Sequence, residues 1–460
     1  MKKVPVKIEF SVKKKEELKD LTYEELLKYI EDLTDHLVTE KPKKNSENSS
    51  IAPSSDIGKK KKNQSLRLKS NRKPGGQAGR KGTTLEQSDI PNKIIDIDYT
   101  IEHCKKCGAS LEQEIISLKE KRQILDINLQ EMTAKVIQYQ SFSKVCPFCA
   151  YTNHDNAFPF NVSPNISYGS NLQSFVVYLS TSHYLSYQRI VQLLLVMFDV
   201  RLSQGTIDSM IKKAGSISQP IVDDIAKRLA LSTLVGIDET GCKVDGKRHW
   251  HWTFQNDRDT LIVADSSRGT KVVDKHFMDG FKNACVVHDN FSSYNKLIAK
   301  EEQLCLAHKL RDINYAIECD DTKLMKDIKA LLKEAMEDHK NEMTTEQRML
   351  LKRQYEATFD YLLGRPVIQK SETARQIKSL TKAREKIFTF LKRPDIPPDN
   401  NGSERAIRNV KVKLKVSGQF KTLRGAQDYA NLRSIVDTSR KRGLNEFESL
   451  VKMMKGEFVF

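Results

Sequence analysis

Leu234-Val-Gly-Ile-Asp238-Glu-Thr240 is a short apolar run ending in two acids, and the fold turns on how it is read. Buried strands read as brief continuous apolar stretches, without clean alternation. His249-Trp-His-Trp-Thr-Phe254 and Thr260-Leu-Ile-Val-Ala-Asp265 predict two further strands of a β-meander. Ala284-Cys-Val-Val-His-Asp289-Asn290 predicts a fourth, again apolar and again ending in an aspartate; Gln303-Leu-Cys-Leu-Ala-His308 predicts a fifth.

Three strands, a helix, then strands alternating with helices predict an α/β core with a ribonuclease-H-like mixed sheet. If the first and fourth strands pair, Asp238 and Asp289 become neighbours. Two carboxylates held together resist ionisation unless a divalent cation lies between them, and hard oxygen ligands suit Mg²⁺ or Mn²⁺. Either aspartate alone reads as an ordinary polar cap at a strand end; the pair says more than its members. A third acid is expected on a helix beside these strands. Pro398-Asp-Asn-Asn-Gly-Ser-Glu404-Arg-Ala-Ile-Arg408 supplies it, with Asp399, Asn400, Asn401 or Ser403 able to cap the helix. Glu404, Arg408, Lys411 and Lys415 share one helix face, and Ile407, Val410 and Leu414 the adjacent apolar face. Glu404 and Arg408 are either a plain surface pair at i,i+4 or a metal ligand beside cations. In the second case Arg405, Arg408, Lys411 and Lys415 are the candidate phosphate contacts.

Working outward, the 460-residue chain carries 77 Lys+Arg against 60 Asp+Glu, a formal charge of +17. Such a surface expects a polyanion, nucleic acid first. The N-terminus has no apolar run long enough for a signal peptide. The longest apolar stretch, residues 193–198, is far short of the roughly 20 residues of a membrane span. A cytoplasmic protein is expected, without a membrane partner and nucleoid-associated when bound to DNA. Residues 1–40 read as an amphipathic helix from Glu16 to Val38, with Tyr23, Leu26, Ile30, Leu33 and Leu37 in an a/d seam. That seam serves a coiled-coil dimer and a lone packed helix equally well. Residues 41–91, with 13 Lys/Arg against four acids and little to bury, read as a disordered basic linker. Its run Lys59, Lys60, Lys61, Lys62 is either a solubilising spacer or a tether along phosphates.

Residues 92–165 carry Cys104-Lys-Lys-Cys107 and Cys146-Pro-Phe-Cys149, separated by strand-like alternation over residues 123–140. Two such pairs around a hairpin form the layout of a zinc ribbon, four thiolates closing on one structural Zn²⁺. Residues 166–230 read as helical. Ser203-Gln-Gly-Thr-Ile207 opens a helix after a short turn, either a helix-turn-helix that reads DNA or a helical hairpin in a core. The core is divided into 231–311 and 392–442. Between them, residues 312–391 read as an all-helical insertion, marked by Leu324, Ile328, Leu331, Ala335 and then by Leu351, Tyr355, Phe359, Leu362. Residues 443–460 form a last helix. Cys305 and His308 make a CxxH without a second pair nearby, better suited to ordering a site than to holding zinc. Trp250 and Trp252 lie on one face of the second strand, as core or as a platform for an unpaired base.

Together these features resemble the DDE transposases of the insertion sequence 66 type. The resemblance runs through almost the whole chain: the N-terminal helix, Lys73-Pro-Gly-Gly-Gln-Ala-Gly-Arg-Lys-Gly82, the double CxxC, Ile237-Asp-Glu-Thr240 and Cys305-Leu-Ala-His-Lys-Leu-Arg311. The most specific match is Pro398-Asp-Asn-Asn-Gly-Ser-Glu-Arg405. The resemblance implies that Asp238, Asp289 and Glu404 are an acidic triad for two-metal phosphoryl transfer. It also implies double-stranded DNA, as element ends and target, for partner, with a homodimer or higher oligomer and accessory proteins of the element. Arg80 stands where the family often has His, and Lys413-Leu-Lys-Val-Ser-Gly-Gln-Phe420 departs from the usual Gly-Arg-Lys-Asn-like run. The second departure bears on which accessory proteins are needed, not on the chemistry. Two other classes fit parts of the sequence: a non-catalytic zinc-ribbon regulator, and a ribonuclease-H-like nuclease without strand transfer.

Overall fold

The apolar runs after residue 233 pair into one mixed sheet. The structure is a computed structural model that describes residues 21–30, 42, 44, 45, 48, 49, 143–145, 152–154 and 168–460. Cys104, Cys107, Cys146, Cys149, the four consecutive lysines and the strand-like stretch at 123–140 lie outside the described residues. The chain divides into two units, and the described residues other than Met197–Asp199 belong to the larger. Between residue 168 and the sheet lie α1 (Ser170–Thr181), α2 (Tyr187–Phe198), α3 (Gln204–Ile217) and α4 (Gln219–Ala230). The strands are β1 (Leu234–Val244), β2 (Lys247–Gln255), β3 (Thr260–Asp265), β4 (Phe281–His288) and β5 (Ala299–Leu304), with α5 (Lys271–His276) before β4. Their order is β3-β2-β1-β4-β5. The first three strands are antiparallel neighbours, while β4 runs parallel to both β1 and β5. This mixed α/β sheet is compatible with a ribonuclease-H-like core.

The fifth strand differs from expectation. It ends at Leu304, and Leu306 already begins a helix, so Cys305-Leu-Ala-His308 is a helix start. The pairing residues are Ala299-Lys-Glu-Glu-Gln-Leu304, whose polar character hid the strand. At a sheet edge, polarity is what keeps exposed backbone from pairing with another chain. Asp238 likewise is not at a strand end: β1 runs on to Val244 along β2, whereas its ladder to β4 stops at Gly236↔Val287.

After β5 come α6 (Leu306–Asp320), α7 (Lys323–Asp338), α8 (Thr345–Leu363) and α9 (Glu372–Lys382). They bury Leu310, Ile313, Met325, Ile328, Leu332 and Phe359 in one cluster with Val287 of β4 and Leu304 of β5. Each such apolar side chain contributes about 1.5–3 kcal/mol when fully buried. The chain then returns through α10 (Asn401–Ser417), α11 (Leu423–Lys441) and α12 (Glu446–Lys455). Helix α11 closes the other sheet edge with side chains. Backbone N–H groups of Thr260, Ile262 and Ala264 donate to Thr438 Oγ1 (3.0 Å), Ser434 Oγ (2.7 Å) and Gln427 Oε1 (2.9 Å). Buried N–H groups that have no neighbouring strand are satisfied this way.

Two helical readings were refined. Residues 23–30 are helical, and the helix starts at a capping box: Thr22 N–H donates to Glu25 Oε2 at 2.9 Å, and Glu25 N–H to Thr22 Oγ1 at 3.4 Å. Ser203 caps α3 by accepting Thr206 N–H at 3.0 Å. Helix α3 buries Ile207, Met210, Ile211 and Ala214, packs on α11, and exposes Gln204, Gly205 and Ser209.

Candidate active site

Asp238 lies two residues beyond Gly236, and Asp289 two residues beyond Val287, the last pair of the parallel ladder. The register therefore sets the two aspartates level with each other where β4 ends. Asp238 Oδ1 accepts the backbone N–H of Glu239 at 2.9 Å, and Asp289 Oδ1 that of Phe291 at 3.0 Å. Glu404 comes from the first turn of α10, which packs across β1 and β2. Burial above all, then the charges of Asp289, Glu239 and Glu404, push the Asp238 carboxyl well above the usual carboxylate range. Glu404 Oε1 is buried with no hydrogen-bond partner, and its Oε2 is 3.9 Å from Arg408 of the next turn. The i,i+4 pair is thus loose, and Arg408 is 70% exposed. Arg405, Lys411 and Lys415 are exposed on the same helix.

One residue ties these elements together. Asn400 precedes α10, yet its side chain does not cap the helix. Its Nδ2 donates to the Ile237 carbonyl at 2.6 Å, beside Asp238, and its Oδ1 accepts from Ser403 Oγ at 2.7 Å. Its backbone N–H donates to Cys305 Sγ at 3.2 Å, and its carbonyl accepts the N–H of Glu404 at 3.1 Å. Close approach is needed too: a Cβ on Gly236 would lie 2.7 Å from Ser403 Oγ, so glycine there lets α10 sit on β1. Sequence reading named Asn400 only as one of four caps, since nothing local tells a cap from a strut.

Glu239 has a different surrounding. Its Oε1 accepts from Arg268 Nε at 2.9 Å and lies 2.8 Å from the second guanidinium nitrogen, while Tyr294 OH donates to its Oε2. Burial raises its carboxyl; Tyr294 and Arg268 oppose that, and the charge of Asp289 adds to it. Arg268 and Tyr294 carried no signal in the sequence. Trp252 is fully buried against Phe254 and Tyr294, as core. Trp250 is half-buried, with the guanidinium carbons of Arg268 and Arg248 at 4.5 and 4.8 Å from its ring centre.

Cys305 and His308 sit at the start of α6, which is fastened to the approach to α10 by Leu306 N–H donating to the Pro398 carbonyl at 2.9 Å. One ligand atom each from Cys305, His308 and Glu404 lies within 4.8 Å of the others. Burial pushes the Cys305 thiol up to about 12. Burial, then the neighbouring Arg311 charge, lowers His308 against the opposing charges of Asp289, Glu404 and Asp312. Its imidazole is thereby kept neutral.

Residues 165–428, more than half of the chain, match the Transposase IS66 family. The chain belongs to the IS66 transposase family. The matched span of this transposase contains all five strands of the mixed sheet, Asp238, Asp289 and Glu404, and ends within α11. As a transposase it is a DNA-processing enzyme whose partner is DNA. Residues 9–86 match a family of unknown function, DUF6444. No curated protein matched this transposase. None of its described helices is long and apolar enough to cross a membrane.

Proposed function

We propose that this transposase binds the ends of its element and, through Asp238, Asp289 and Glu404, cuts DNA strands and joins them to a target. The observation that carries this reading is the shared level of Asp238 and Asp289 across a parallel ladder, with Glu404 electrostatically coupled to Asp238. The donor set fits a divalent cation. Three carboxylates oppose one another's charge, and a buried Glu404 oxygen has no donor of its own. Asp238, Asp289 and Glu404 would hold the ions, and hard oxygens select Mg²⁺ or Mn²⁺. When bound, two such ions supply activation of water or of a DNA 3′-hydroxyl and neutralise charge on the leaving oxygen. The protein's own part is positioning. Asn400 and Gly236 set α10 against β1, and His308 stands neutral beside Glu404. The exposed Arg405, Arg408, Lys411 and Lys415 lie on backbone phosphates, which position DNA without reading its sequence. Cys104, Cys107, Cys146 and Cys149 hold one structural Zn²⁺, and the lysines from Lys59 to Lys62 add affinity without specificity. The protein acts as a dimer or higher oligomer on DNA, in keeping with the exposed Tyr23 and Leu27 of the N-terminal helix.

The test uses Asp238→Asn, Asp289→Asn and Glu404→Gln with end DNA taken from the inverted repeats flanking the gene. Each variant is expected to bind that DNA yet lose cleavage and joining in Mg²⁺ or Mn²⁺ by several orders of magnitude. Substantial cleavage by Glu404→Gln, with Asp399→Asn dead, would move the third acid to Asp399. Cleavage by the wild type without joining would make it a nuclease.

A further inference from the structure

Beside Glu404, Cys305 has no task in the reaction proposed above, and His308 none beyond its place there. Cys305 precedes α6 and His308 occupies its first turn, and with Glu404 they place three ligand atoms within 4.8 Å of one another. Of these side chains, His308 Nδ1 and Glu404 Oε1 are buried without a hydrogen-bond partner. The framework is held from both sides. The Asn400 N–H donates to Cys305 Sγ at 3.2 Å, and Leu306 N–H to the Pro398 carbonyl at 2.9 Å, so the starts of α6 and α10 are fastened to each other.

We propose that Cys305, His308 and Glu404 form a second cation site, for a thiophilic divalent ion such as Zn²⁺, whose occupancy draws Glu404 away from Asp238 and Asp289. A thiolate and an imidazole select zinc over Mg²⁺, which prefers oxygen alone. Tetrahedral zinc, with bonds of about 2.0–2.3 Å, holds its ligand atoms roughly 3.4–3.7 Å apart. Closing from 4.8 Å asks the ligand atoms to approach by about 1 Å. On binding, the Cys305 S–H bond breaks, a sulfur–metal bond forms and the proton leaves to solvent; the imidazole and the carboxylate bind as they stand. Three protein ligands leave the fourth position to water. The site is inhibitory because a Glu404 carboxylate turned to it leaves Asp238 and Asp289. That consequence rests on the function proposed above; binding at the site does not.

The experiment titrates Co²⁺ into the full-length protein purified with its zinc, and follows the thiolate-to-cobalt charge-transfer band, the stoichiometry and the circular dichroism. Wild type is expected to take up one equivalent that gives a thiolate band, distinct from cobalt held by carboxylates alone. Cys305→Ser should lose the band and bind at least about tenfold more weakly, the low end of what even an outer partner of a metal contributes. Replacing all four of Cys104, Cys107, Cys146 and Cys149 by serine removes the ribbon's own thiolates and should keep the band. A band that survives Cys305→Ser in a folded protein, or no uptake by wild type, would overturn the site. Should Cys305→Ser not fold, His308→Gln decides, and an unchanged affinity there overturns it equally. A parallel arm adds Zn²⁺ to Mg²⁺-dependent cleavage. Cobalt binding without inhibition by zinc would overturn the link to Glu404. A wild type inactive in Mg²⁺ alone would count against the proposed function and leave the cobalt result standing.

Discussion

Asn400→Ala separates a strut from an ordinary helix cap. Asn400 is 3% exposed, and its side chain makes two neutral hydrogen bonds, one to the Ile237 carbonyl and one from Ser403. Losing both costs about 2 kcal/mol at roughly 1 kcal/mol each, rising to about 4 kcal/mol where the stranded groups stay dry. Ser403 is fully buried and keeps only a long contact from Gln255 at 3.4 Å, so the upper part of that range is expected. Activity should fall further than stability suggests. Glu404 begins one turn after Asn400, and a misplacement of about 1 Å in a catalytic group can cost about 10²-fold. The conservative Asn400→Asp is expected to be worse than alanine, because it sets a carboxylate oxygen against the Ile237 carbonyl at the 2.6 Å now spanned by a donor. Chemical denaturation gives the stability change. Strand cleavage against Mg²⁺ concentration gives the rest: the half-maximal concentration should rise in both variants while DNA affinity holds. Wild-type stability and Mg²⁺ dependence in Asn400→Asp would refute the strut.

Two further outcomes follow from the same residues and from the cysteine pairs. With its folded pKa raised above the unfolded value, Asp238 holds its proton in the native state over a window where the unfolded chain has released it. Its contribution to stability is therefore full below the ordinary aspartate range and lost as pH rises through the raised value. In metal-free protein Asp238→Asn should flatten that fall and be the more stable form at neutral pH; an unchanged slope in denaturation across pH would count against the clustered acids. Metal analysis should find about one zinc per chain, lost in Cys104→Ser/Cys146→Ser together with folding of the segment, because a small hairpin has too little core to hold itself; a folded, zinc-free sample would refute the ribbon.

Local pattern was enough for the strands that bury both faces. Val235 and Ile237, the run from Leu261 to Val263, and Val286 with Val287 are apolar because each is covered on two sides, and that is legible residue by residue. The helices over 323–338 and 345–363 were legible for a related reason: Leu324, Ile328, Tyr355 and Phe359 repeat at helical spacing because one stripe meets the core. The edge strand from Ala299 was not, since its residues are mostly polar and its identity lies in backbone pairing. The motif from Pro398 to Arg405 and the strand from Ile237 to Thr240 were sufficient to point to the family. What a linear pattern cannot carry is juxtaposition. Asp238 and Asp289 are 51 positions apart, and only the parallel register Gly236↔Val287 sets them level. Asn400 as a strut, Arg268 and Tyr294 around Glu239, and Cys305 with His308 beside Glu404 all join residues far apart in the chain. Their partners are chosen by the packing of α6 and α10 against the sheet, which no single segment encodes.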